Sequence, residues 1–267
     1  MLCALRMATA STSAEIRDAQ IISPLNSVSA KLIHRPIGNR EFCWQNRSAM
    51  PLVVKTIDAS ALVDSDLDDL AAMGGAFGIG AISKAKEDWV LFASAKLDGK
   101  LHGFMFSTLE RIGGTPCVLL GMLSVKRTSK RDQILKGLMS EAYHRALMAF
   151  PDEDVVVGSR FISVDALEAF KSLTELIPRP DHRAVGEERA WGRRLARRFG
   201  CESAYDEQSF TIKSNGQSGF MDFDSLKPGK APVDIAALFK SVSTKKSGAL
   251  VVHGWTMTEN LLKLGKH

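Results

Sequence analysis

Residues able to do chemistry are concentrated in one basic run. Lys126, Arg127, Lys130, Arg131 and Lys136 lie within eleven residues, where the flanking pattern predicts a strand running into a helix. Cations around a helix start can hold phosphate, because the first-turn N–H groups lack partners inside the helix and the macrodipole favours an anion there. A charge run is equally the pattern of a solvated loop. Glu110, Glu141, Tyr143 and His144 are the groups able to move a proton, and Glu110 and Tyr143 are the catalytic candidates among them. Arg160, at the end of a strand, suits a carboxylate, a phosphate or a structural ion pair. Asp181-His182 and Glu187-Glu188 match no metal-ligand spacing, so no metal is expected. Arg189, Arg193, Arg194, Arg197 and Arg198 share a helix with Trp191, Leu195 and Phe199. That pattern fits a helix packed by its apolar face with its arginines in water, or a phosphate or nucleic-acid contact using residues 187–199. The absence of an aromatic stacking platform favours the packed helix.

The elements that must position these groups are legible in turn. Leu52 to Ile57 is β-branched and reads as a strand, and Ser65 with Asp68 marks a helix start that should end at Gly74-Gly75. Trp89–Ala95 and Leu101–Leu109 flank Asp98-Gly99, a hairpin signal, and a second turn at Gly113-Gly114 leads into Cys117–Val125. Ile134, Leu138, Ala142, Ala146 and Phe150 recur at helical spacing, with Leu135 and Met139 alongside. Val155–Val157 is a short buried strand, and a helix is expected from Asp165 to Leu173. Pro178 and Pro180 interrupt the chain before the arginine helix, which should close at Gly200. Ser209–Lys213 is a strand candidate, and 233–242 and 258–264 are candidate short helices.

The 267 residues carry a net charge of +5, compatible with a phosphorylated ligand, a nucleic acid or an acidic partner. With 45% hydrophobic and 24% charged residues the chain can bury a substantial core. Cys3, Cys43, Cys117 and Cys201 form no CxxC pair and no dense framework, which predicts reduced thiols and a cytoplasmic protein. No apolar run approaches the ~18 residues of a membrane span. Three segments are expected: 1–49, a Ser/Ala/Thr-rich disordered leader, transit peptide or spurious extension before Met50; 50–215, the folded domain; and 216–267, a C-terminal extension.

Strand hairpins, a long strand ending at Val125, a basic loop, a helix, a strand and a further helix resemble the GCN5-related N-acetyltransferase fold over Leu52 to Leu173. The resemblance implies an α/β (α+β) protein with a mixed, mainly antiparallel central sheet flanked by helices. It also implies that the fourth and fifth strands splay and admit acetyl-CoA or another acyl-CoA. Counted from Val125, the family's Arg/Gln position falls on Lys130 and its two glycine positions on Gln133 and Leu135. A second family pattern falls on Ser163, Ala166 and Phe170, where typical members have Asn, Ala and a proton-donating Tyr. The implied ligand-binding residues are Leu123, Val125, Lys130, Arg131, Gln133, Leu135, Lys136, Gly137 and Ser163, with a backbone N–H near Leu123 polarising a thioester carbonyl. The implied acceptor is a small-molecule or protein amine. A non-catalytic binding or regulatory module on the same fold is the alternative, and nucleic-acid association through the arginine helix a third.

Overall fold

In a computed structural model of the chain, residues 51–73, 75–213, 221–223, 237–240, 242 and 248–265 are described. They belong to one compact unit, 48–267. Its centre is a mixed sheet of ten strands in the order β1-β2-β3-β4-β5-β10-β8-β7. β1 (Val53–Asp58), β2 (Leu91–Leu97), β3 (Lys100–Ile112) and β4 (Thr115–Val125) form an antiparallel meander. The hairpin at Asp98-Gly99 has both residues at positive φ (52° and 72°), which matches the right-handed twist of the flanking strands.

β5 (Val155–Phe161) pairs parallel with β4, the crossover being α3 (Arg131–Ala149). The strand β10 (Ala249–Thr256) pairs antiparallel with β5 along seven residues, a strand the sequence pattern did not suggest. Its run Leu250–Val252 is apolar on both faces because it is buried between neighbours, so no alternation marks it. β6 (Thr174–Ile177) also pairs β10, where a breaker was expected; it stops at the cis Ile177–Pro178 bond. β7 (Tyr205–Asp206) and β8 (Thr211–Ile212) close one edge, β8 being shorter than the expected 209–213 because Phe210 adopts φ 58°. β9 (Met221–Asp222) pairs parallel with the tip of β4.

Both faces of the sheet are covered. One carries α3 and α5 (Thr258–Leu264) over Val118, Leu120, Val157 and Val252. The other carries α1 (Asp64–Ala72), α2 (Ile79–Asp88) and α4 (Gly186–Arg198) over Phe92, Phe104, Phe106, Val156 and Val251. Every residue of the expected Ile134–Phe150 stripe is buried. α1 begins ahead of Ser65: Val63 is the N-cap, and its N–H donates to the Asp66 carboxylate. Gly200, φ 68°, ends α4 as expected. The segment expected as a helix from Asp165 is a 3₁₀ helix, Val164–Phe170. α2, with Gly78 as N-cap and no side-chain cap, was not anticipated. Of the expected 233–242 helix, only 237–240 and 242 fall among the described residues.

Candidate functional site at the end of β4

Two irregularities meet near the C-terminal end of β4. Opposite the single residue Phe106 of β3, β4 places two residues, Gly121 and Met122, a bulge that re-aims the strand tip. Gly121 is needed there because a Cβ would collide with the Trp89 ring. The last β4–β5 pair is Leu119 with Gly158, and Ser159 Oγ then donates to the Leu120 carbonyl at 2.8 Å. Past that point β4 leaves β5, giving the splay that the resemblance implies.

The splay is bordered by the chain itself. β9 pairs Met221 with Leu123 and Asp222 with Ser124. The Asp222 carboxylate is 6% exposed and accepts from the Ala76 N–H (2.8 Å), Ser124 Oγ (3.1 Å) and Arg127 Nη2 (3.0 Å). Gly75 permits this approach, since a Cβ there would run into Ser124 Oγ and lie 3.1 Å from Asp222 Oδ2. An anion supplied by the chain therefore engages the basic loop beside Leu123. No sequence signal announces Asp222, as a two-residue strand has no periodicity.

Beyond the loop, α3 starts at Arg131 with Lys130 as N-cap. The Lys130 and Arg131 N–H groups are taken up locally, by Thr128 Oγ1 (3.3 Å) and the Thr128 carbonyl (3.2 Å). Lys130, Gln133 and Lys136 are exposed, while Leu123, Val125 and Leu135 are buried. Leu135 packs into the core, so its side chain does not stand over the loop where phosphates are expected. Gly137 faces β1: a Cβ there would lie 2.8 Å from Leu52 and 3.2 Å from Val54, which gives it a packing role.

A cleft of about 430 Å³ lies between α3, the 3₁₀ helix and α5. Asp132, Leu135, Lys136 and Tyr143 from α3 line it with Glu168, Lys171 and Lys263. Tyr143 has a buried hydroxyl without a hydrogen-bond partner among the described residues, and burial pushes its ionisation well above the ordinary phenol range. The phenol therefore keeps its proton, and its side chain lines the cleft with Lys136 and Leu135. Glu110 is elsewhere: it pairs with Cys117 of β4, six residues before Leu123 or ~20 Å along the strand, and Arg198 Nε donates to it at 2.7 Å. Glu141 is engaged by Thr56 Oγ1 (2.7 Å) and Arg145 Nε (2.9 Å), tying α3 to β1.

Ser163 makes no side-chain cap; its carbonyl accepts from the Ala166 N–H. Phe170 is fully buried, edge-on to Phe161 at 4.9 Å. Arg160, buried at the end of β5, lies 5.3 Å over the Phe199 ring, and burial lowers its pKa to about 10. It is a structural residue in the α4 face of the core. The arginine helix buries Trp191, Leu195 and Ala196, and Arg193, Arg197 and Arg198 pair with Glu207, Glu202 and Glu110. Those three charges are balanced by acids of the same fold.

The bulged β4, its splay from a parallel β5 and the α3 crossover define a fold of the GCN5-related N-acetyltransferase type, in keeping with the sequence resemblance. No protein-family model matches the sequence, and no curated protein resembles it in sequence. Solved structures similar to the chain include an aminoglycoside 6′-acetyltransferase type Ii, at 13% identity over 48% of this chain and 87% of that one, with a TM-score of 0.35. An IAA acetyltransferase from Bacillus cereus matches at 17% identity over 47% of this chain and 80% of its own, TM-score 0.35. A ribosomal-protein-alanine N-acetyltransferase from Brucella melitensis biovar Abortus matches at 15% identity over 40% and 79%, TM-score 0.30. Among the described residues no helix is long and apolar enough to cross a membrane.

Proposed function

We propose that the chain is a divergent acyltransferase-type protein that binds acyl-CoA, or a related phosphorylated ligand, with β9 withdrawn from the splay. The observation that carries this reading is the coincidence of the β4 bulge, the β4–β5 splay and the basic loop Lys126–Arg131 at one strand end. With β9 seated, the backbone of Leu123 and Ser124 is already paired, and the residues present do not fit a pantetheine arm. The basic side chains of the loop and the cleft between α3 and the 3₁₀ helix remain accessible to phosphates, and Lys130 and Lys136 are the cations placed to meet them. An amine acceptor is the class this fold implies.

The second reading, a non-catalytic module, is favoured by a separate observation. Phe170, on which the resemblance places the family's proton-donating Tyr, is fully buried and has no proton to supply. Calorimetry with acetyl-CoA on the whole chain and on Asp222→Ala separates the readings. Binding strengthened by Asp222→Ala and abolished by Lys130→Ala with Lys136→Ala supports a ligand site gated by β9. Failure of both proteins to bind at millimolar ligand overturns it. Thioester cleavage by the binding-competent variant supports catalysis; binding without cleavage supports the module.

A further inference from the structure

A second cavity, of about 570 Å³, lies three strands from β4 on the far side of β10. Its walls come from the loop after β6 (Arg179, His182, Arg183), the first turn of α4 (Arg189) and Gln208 to Phe210. The charge of this lining is one-sided: three arginines and no carboxylate. The cleft beside α3 sets Asp132 and Glu168 against its lysines, and the groove beneath α1 sets Asp66 and Asp69 against Lys55, Lys96, Lys100 and Lys126. Of these three cavities, this is the one whose described lining carries arginines and no carboxylate.

One of the three arginines, Arg179, is also held by a neighbour. An arginine can only donate, so the contact from Arg179 Nη2 makes His182 Nδ1 the acceptor, at 3.4 Å. His182 Nε2–H then donates to the Glu188 carboxylate at 2.8 Å, and Glu188 also accepts from the Val185 N–H at 2.7 Å. Glu188, the nearby acid, is thereby committed to holding the loop on the helix start. Arg183 and Arg189 make no ion pair with any described carboxylate. This contrasts with Arg193, Arg197 and Arg198 of the same helix region, each of which has a glutamate. The rest of the lining, Pro178, Ala184, Ala237 and Leu238, is apolar, as is Phe210.

We infer that this cavity is a binding site for a small phosphate monoester, the dianion held by Arg179, Arg183 and Arg189 and its organic part resting on Phe210 and Pro178. Three guanidinium groups arriving from a loop and a helix suit the three terminal oxygens of a tetrahedral phosphate better than the two coplanar oxygens of a carboxylate. The site does not depend on ligand binding at the β4 splay.

The test is calorimetry of the full chain with phenyl phosphate, with citrate as the carboxylate comparison. Phenyl phosphate should bind with a stoichiometry near one and weaken at least about tenfold in Arg183→Ala with Arg189→Ala. Both arginines reach solvent and lack described partners, so the variant should keep its thermal midpoint, which is measured alongside. The inference is overturned by any of three results: no binding at millimolar phenyl phosphate, binding untouched by the arginine variant, or citrate binding as tightly as the ester.

Discussion

Replacing Asp222 by alanine should free β9 from β4 without unfolding the protein. The carboxylate is buried and accepts from the buried Ser124 Oγ, from the part-buried Ala76 N–H, and from Arg127, whose side chain is 53% exposed. Hydrogen bonds to a charged group contribute about 1.5–3 kcal/mol each, and the half-exposed ion pair, discounted for solvent screening, at most about 0.5 kcal/mol. Solvent regained by the freed groups offsets part of this, leaving about 3 kcal/mol lost from β9 docking. Since each 1.4 kcal/mol is about tenfold in an equilibrium, opening of β9 should become about a hundredfold more frequent. Hydrogen exchange read by mass spectrometry on peptides covering 121–125 and 221–223 should accelerate by that factor. Peptides of β5 and β10 should keep their protection, because β9 pairs with neither. Asp222→Asn, which keeps one acceptor, should fall between the two. Unchanged exchange at 121–125 in Asp222→Ala would refute the claim that this carboxylate holds the strand in place.

Three further outcomes follow from the geometry. Burial lowers the His253 pKa to about 4, against an unfolded value of about 6.5. The unfolded chain thus takes up the proton first, and about 3 kcal/mol of stability should be lost as pH falls from about 6.5 to 4, a loss that urea titrations of His253→Gln should not show. Gly121→Ala pushes a methyl into the Trp89 ring and should destabilise by about 1–3 kcal/mol, read as a lower urea midpoint. Phe170→Tyr should not create a proton donor for the splay: the position is fully buried against Phe161, so the hydroxyl should cost about 1–3 kcal/mol in thermal stability without raising thioester cleavage.

The parts of this molecule that were legible in sequence are those with local signatures. Asp98-Gly99 demanded a turn with positive φ, the Ile134–Phe150 stripe demanded a buried helical face, and both are present. The order of elements around Val125 carried the fold. The unread parts depend on partners distant in the chain. β10 looks like an undifferentiated apolar run until β5 and β8 are placed on either side of it. Asp222 is one acid in a stretch without periodicity, and its meaning comes from Ser124 and Ala76, roughly a hundred and more residues earlier. Glu110 and Tyr143 were equal candidates by residue type. Strand register separates them, carrying Glu110 to the opposite end of β4, whereas the helical period turns Tyr143 into the cleft.

The place of β10 in the sheet has a consequence for how the polypeptide is made. It is inserted between β5 and β8 yet follows β5 by roughly ninety residues in the chain. While a ribosome is still producing the intervening segment, Val155–Phe161 has one edge unpaired, and that strand is apolar over much of its length. Closure of the sheet must wait for the last strand to leave the exit tunnel. A nascent chain stalled before Ala249 should therefore be a client for chaperones and proteases, however well its first four strands have paired.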